Sequence, residues 1–117
     1  MTTIVYGIRN CDTVKKALAW LDLHGVDYSF HDYRKSGVPV DRLKAWADLL
    51  GWERLANTRG TTWRKIPEPA RDKLDRSRML ALLEAYPSAI RRPAVEWRPD
   101  QVTLGFDPKV FAEALGQ

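Results

Sequence analysis

The sequence predicts an α/β domain in the order β-α-β, helical insert, β-β-α, with a mixed four-stranded sheet. Three observations predict it. A β-branched and aromatic run, Thr3-Ile4-Val5-Tyr6, passes through a turn into a helical period and then into an alternating segment, Val26 to Asp32. From Pro39 to Tyr86 the apolar spacing becomes helical. The remainder holds two short strand-like runs about a proline turn, followed by a capped helix. A single domain over residues 1–117 is expected, since this length buries a continuous core by itself.

Taken in order, Thr3 to Tyr6 is a buried first strand closed by Gly7. After the turn at Cys11, Asp12 or Thr13 is expected to cap a helix in which Val14, Ala17, Leu18 and Leu21 keep the 3.6-residue period and Gly25 is the stop. A helical crossover of this length makes Val26 to Asp32 parallel to the first strand. In the insert, Leu43, Trp46, Ala47 and Leu50 form a stripe ended by Gly51. Ser77 is expected to cap a second helix carrying Met79, Leu80, Leu82 and Leu83, which Pro87 terminates. Asn57 to Lys65, rich in small polar residues and holding two arginines, reads as a loop between them. Ile90 to Trp97 and Val102 to Gly105 then pair as an antiparallel hairpin about Arg98-Pro99-Asp100-Gln101. Asp107 as cap and Pro108 at the first helical position open a last helix with Val110, Phe111, Ala114 and Leu115 on one face and Gly116 as its stop.

Composition excludes several function classes. No apolar run reaches membrane-spanning length, so no membrane partner is expected. The N-terminal Met-Thr-Thr-Ile-Val-Tyr-Gly lacks the charged segment and apolar block of a secretion signal, and a cytoplasmic location is expected. The net charge of +4 is modest, and basic residues are interleaved with acids, as in Asp41-Arg42, Glu53-Arg54 and Glu68 to Arg78. That is the pattern of a solvated surface rather than of a nucleic-acid footprint, which needs cations clustered on one face. One cysteine forms no internal disulfide, in keeping with a reducing compartment.

Cys11 is the candidate nucleophile. At a helix start it meets backbone N–H groups and the positive end of the helix dipole, and both favour the thiolate, the reactive form. The plain alternative is an inert packed thiol, because free cysteine is among the most buried residue types. Arg9, Lys15, Lys16, Arg59, Arg64, Arg91 and Arg92 are the cations available to stabilise a thiolate or grip an oxyanion, and arginine's planar fork suits the second task. Neighbouring helix positions point about 100° apart, so only one of Lys15 and Lys16 is expected to face the site. His24 and His31 show no metal-ligand spacing and no evident pairing with Cys11, and are assigned surface or satisfied structural roles. No paired carboxylates, serine-nucleophile motif or phosphate-cradling glycine loop is present.

Four segments together resemble the arsenate reductase (ArsC) family with its Spx relatives, and most of all its small YffB-type branch. They are Tyr6 to Ala17, His31-Asp32-Tyr33-Arg34, Asn57 to Lys65 and Ile90-Arg91-Arg92-Pro93, and the likeness extends from Thr3 to Leu115. It implies a thioredoxin-like (glutaredoxin-like) fold with halves 3–33 and 90–116 around a helical insertion, 39–87, and a cis Pro93 facing the cysteine turn. It further implies that Cys11 attacks an oxyanion or mixed disulfide while Arg59 and Arg92 hold the anion and stabilise the thiolate. Asn10, Asp12, Thr13, Lys15 and Pro93 are the implied substrate- or glutathione-binding residues. The protein would act as a monomer with no bound cofactor, and glutathione or glutaredoxin would resolve the adduct as co-substrate or partner. Two differences bear on the substrate: Val14 and Lys15 stand where glutaredoxin-linked arsenate reductases follow their cysteine with a Ser/Thr-Arg pair, and Leu104-Gly105-Phe106-Asp107 lacks a further arginine. Both weigh against arsenate as the substrate and leave the thiol chemistry intact. Spx regulators carry Cys-x-x-Cys, whereas Val14 stands three after Cys11, so an outside thiol must resolve any adduct. The alternative that the resemblance implies is a non-catalytic, Spx-like regulatory module binding RNA polymerase or another protein.

Overall fold

A computed structural model describes residues 3–116. Its elements are β1 (Thr3–Gly7), α1 (Asp12–Leu23), β2 (Tyr28–Asp32), α2 (Tyr33–Ser36), α3 (Val40–Leu50), α4 (Thr61–Lys65), α5 (Glu68–Arg71), α6 (Arg76–Ala85), β3 (Ala94–Arg98), β4 (Gln101–Leu104) and α7 (Pro108–Leu115). Short 3-10 turns occupy Trp52–Leu55 and Pro87–Ala89. The chain divides into two compact units, one holding the residues through Gly37 and those from Arg92 onward, the other Val38–Arg91.

In the first unit the strands lie in the order β2-β1-β3-β4. β1 and β2 are parallel, because a helix carries the chain back between them, whereas β1–β3 and β3–β4 are antiparallel. The hairpin turn falls on Pro99 and Asp100, where Arg98 opposes Gln101. This is the thioredoxin-like arrangement, with a mixed four-stranded sheet, that the sequence implies.

One sheet face is apolar. Val5, Val95 and Trp97 project from it onto Ala17 and Leu21 of α1 and Phe111 of α7, all buried. Phe111 is the centre of this cluster. Its ring meets Trp97, Phe106 and Trp20 edge-on, with centroids 5.0, 4.9 and 5.4 Å away. Phe111→Ala is therefore expected to lower unfolding stability by about 3–5 kcal/mol, since the wall of strands and helices cannot collapse into the space left. Urea denaturation followed by circular dichroism checks this.

Several expected boundaries differ. Asp12 and Thr13 lie inside α1, and the cap position belongs to Cys11. The cap of α6 is Asp75, whose carboxylate accepts from the Arg78 N–H at 2.8 Å, so Ser77 sits within that helix. Half of the expected loop is helical, because Thr61–Lys65 forms α4. The third strand begins at Ala94, after the Arg92-Pro93 bond, which is cis. On α7 only Phe111 is fully buried, and Val110 is 39% exposed. Asp107 caps α7 as expected, accepting from the Lys109 N–H at 2.9 Å.

The helical unit packs Leu43, Trp46 and Ala47 of α3 and Met79, Leu80, Leu82 and Leu83 of α6 as buried side chains, together with Leu55, Ile66 and Ile90. A short antiparallel bridge, Ala56 to Ile90, is flanked by hydrogen bonds from the Asn57 N–H to the Ala89 carbonyl and from the Arg91 N–H to the Leu55 carbonyl, each 2.8 Å. It fixes the base of the 57–60 turn beside Arg91. Within that turn a Cβ on Gly60 would stand 2.8 Å from Asn57 Nδ2, so the Asn57 amide would have to shift to admit a side chain.

Candidate active site

β1 ends at Gly7, and the chain reaches α1 through Ile8, Arg9 and Asn10. Gly7 lies close to both neighbours: a Cβ there would stand 3.1 Å from Val14 Cγ2, so the valine would have to give, and 3.9 Å from Pro93 Cα, an ordinary contact. The end of β1, the first turn of α1 and the cis proline thus meet, and Cys11 and Arg92 stand next to them in sequence.

Cys11 is partly buried, with extended backbone at φ −143° and ψ 125°, the conformation of a helix cap. A serine or aspartate here would accept from the second and third helical N–H groups. The neutral thiol makes no such capping hydrogen bond. Partial burial pushes its pKa up, but the Val14 N–H, the hydrogen bond and charge of the Arg92 side chain, and the Thr13 N–H together outweigh burial, so the thiol lies below its ordinary value. Ionised sulfur is the better acceptor for these donors. The first turn of α1 is in this way a receptor for the thiolate.

The other cations divide. Arg9 is drawn away, its guanidinium carbon 4.9 Å above the Phe30 ring. Lys15 lies one turn beyond Cys11 and donates its N–H to the Cys11 carbonyl at 2.9 Å. Its side chain borders a groove of about 480 Å³ lined also by Ile8, Arg9, Asn10, Asp32 and Arg34. Asn10 and Lys15 therefore share one groove. Asp12 and Thr13 are exposed on the first turn, and Thr13 contributes its backbone N–H, while Pro93 is fully buried. Arg59 belongs to the helical unit, where it lines a polar cavity of about 400 Å³ with Ala56, Asn57, Thr58 and Arg91. Arg64 is exposed on α4.

Neither histidine approaches a metal-binding arrangement. His24 stacks on Trp20 with centroids 3.7 Å apart, and His31 Nε2 lies 2.8 Å from the Gly37 carbonyl. Among the described residues no three acidic, histidine or cysteine side chains group as metal ligands, and no helix is long and apolar enough to cross a membrane.

Two side chains escaped the sequence reading. Tyr33 and Glu96 are buried in the first unit, 3% and 6% exposed. Tyr33 stands in the His31 to Arg34 motif, which was the only signal for it.

A family model described as ArsC family matches residues 6–114. An uncharacterized protein of Haemophilus influenzae is 40% identical over 111 residues, 95% of this chain and 96% of that one. The solved structure of the YffB protein superposes with a TM-score of 0.93 at 42% identity, covering 97% of this chain and 99% of that one. Global transcriptional regulator Spx 2 of Bacillus cereus is 29% identical over 114 residues, 96% of this chain and 86% of that one.

Proposed function

The chain belongs to the ArsC family, and from that premise we propose that it is a glutathione-dependent thiol oxidoreductase with the Cys11 thiolate as nucleophile. The observation that carries the reading is the setting of Cys11, a lone cysteine at the cap of α1 whose thiolate is favoured by the Thr13 and Val14 N–H groups and by Arg92. In the first step the Cys11 sulfur attacks the glutathione sulfur of a mixed disulfide, and the substrate thiolate is the leaving group. A new disulfide forms on Cys11, the old one breaks, and the departing thiolate takes a proton from solvent. Glutathione thiolate then attacks the adduct, regenerating Cys11 and leaving oxidised glutathione. The net change is mixed disulfide plus one glutathione thiol to substrate thiol plus oxidised glutathione, one half of which came from the mixed disulfide, so the cycle closes without a bound cofactor.

Within this reading Arg92 orients the thiolate and the incoming anionic group. Arg59 is assigned a second guanidinium toward the same anion, on the strength of the family motif it stands in. Asn10, Asp12, Thr13, Lys15 and Pro93 are assigned to the glutathione moiety. The protein works as a monomer in the cytoplasm, with glutathione or glutaredoxin as the resolving thiol. A small oxyanion is the other substrate class, and Val14 and Lys15 weigh against arsenate.

Intact-mass spectrometry after exposure to oxidised glutathione, and separately to arsenate, tests this. A glutathione adduct on Cys11 that added reduced glutathione removes is the expected result. An unmodified protein under both treatments overturns the reading.

The Spx likeness favours a second reading, a regulatory module that docks on RNA polymerase or another protein without catalysis. Capture of polymerase by wild type and Cys11→Ser alike, with no turnover by either, would select it.

A further inference from the structure

Glu96 is the one acidic or basic side chain in the buried class among the described residues, and the thiol exchange set out above makes no use of it. A carboxylate taken out of water is costly unless hydrogen bonds and a counter-charge offset the loss of hydration. One hydrogen bond is in place, donated by the Tyr6 hydroxyl to Oε1 at 2.8 Å. The sheet register brings it about. Tyr6 opposes Ala94, and Glu96 stands two residues farther along β3, so both side chains leave the same face. His31, opposite Tyr6 on β2, links this pair to Tyr33 of α2, with ring centroids 5.3 Å from Tyr6 and 6.1 Å from Tyr33. The Tyr33 hydroxyl is buried and makes no hydrogen bond, and it feels the charges of both Arg92 and Glu96. Arg92 stands two residues before Ala94, as Glu96 stands two after it, and its Nε is buried, so a partly buried cation and a buried carboxylate flank the residue opposite Tyr6; Arg92 is also the cation that acts on the Cys11 sulfur.

We propose that Glu96, held by Tyr6, is a positioning residue that anchors the Arg92 guanidinium for its contact with Cys11. Arginine carries five N–H donors in a rigid plane, enough to serve a carboxylate and still present an edge to sulfur. The inference rests on the reading of Cys11 as a reactive thiolate. Its test reads ionisation rather than turnover, so the two fail separately: a shifted titration without glutathione chemistry would sink the reaction and leave the anchor standing.

The sign of the effect discriminates. The charged and titratable groups that accompany Cys11 are Arg92 and, on its own helix, Asp12 and Lys15; Glu96 meets Tyr6, whose ring adjoins His31, and acts with Arg92 on Tyr33. A carboxylate acting on Cys11 only through its own field disfavours the thiolate, so neutralising it would speed alkylation at neutral pH. One acting through Arg92 does the reverse. Glu96→Gln keeps the volume and the acceptor for Tyr6, and iodoacetamide alkylation of Cys11 is followed against pH. The expected result is a profile displaced toward higher pH and a rate at neutral pH lower by about three- to tenfold. In an Arg92→Ala background the same substitution should have no such effect. A faster or unchanged rate, or an equal slowing without Arg92, overturns the proposal. Should Glu96→Gln fail to fold, Tyr6→Phe carries the same test, with a smaller slowing expected in the same direction and an unchanged rate overturning it.

Discussion

Cys11→Ser is expected to abolish glutathione-dependent disulfide reduction, with a loss on the order of 10³-fold or more in kcat/KM. Serine matches the size of cysteine and is a preferred helix cap, so α1 should be retained or gain a little stability while the nucleophile disappears. Its hydroxyl is un-ionised at neutral pH and cannot form the disulfide on which the cycle depends. No other cysteine in the chain can substitute. A coupled assay that follows oxidised glutathione measures this loss, with thermal unfolding to show that the fold persists. Residual activity above a few per cent of wild type would place the chemistry elsewhere.

Arg92→Ala is the second large effect. Arg92 both hydrogen-bonds the Cys11 sulfur and places a positive charge beside it, each lowering the thiol pKa against the opposing push of burial. Removing the guanidinium should raise that pKa and slow alkylation at neutral pH about tenfold. Arg92→Lys, which keeps the charge without the fork, should fall between. Stability follows with a definite sign. A thiol whose pKa is lower in the folded than in the unfolded chain contributes stability above the unfolded value, and loses it as pH falls through the folded one. The part of the Arg92→Ala deficit that comes from the thiolate should therefore be fully present in alkaline solution and vanish in acid. Arg59→Ala is expected to slow alkylation in the same direction if Arg59 serves the anion, and Arg64→Ala to do less. Unchanged rates for both Arg59→Ala and Arg92→Ala would remove these arginines from the site.

The elements that were legible share a cause: their local signals agree with their tertiary surroundings. Val14, Ala17 and Leu21 recur at helical spacing and are buried on α1, and Asp107-Pro108 caps α7 in the structure as in the sequence. Cys11 as the cap was not legible, because capping preferences are written for oxygen-bearing side chains and pointed to Asp12 or Thr13. Thr61–Lys65 lacks an apolar period, having barely more than one turn, so nothing local separates it from a loop. Glu96 is the instructive case. In Ala94-Val95-Glu96-Trp97 a charged residue marks the side of a strand that faces water, yet Glu96 is 6% exposed. It accepts a hydrogen bond from Tyr6 on another strand, and no pattern within β3 records that partner.

The pairing of Cys11 with Arg92 was legible only through the family motif, since the two stand far apart in sequence. The antiparallel pairing of β1 with β3 and the fit of Gly7 against Pro93 supply the physical reason they meet. Together with the Val14 and Thr13 N–H groups, that pairing is the proposed source of the cysteine's reactivity.

A pH titration of thiolate ultraviolet absorbance in the wild-type protein, with Cys11→Ser subtracted, puts this most directly to the test. The sole cysteine makes the signal unambiguous. A midpoint below the free-cysteine value of about 8.5 is the result expected of a thiolate held by the start of α1 and by Arg92. A midpoint at or above that value would show that burial prevails, and Cys11 would then be a packed thiol rather than a nucleophile.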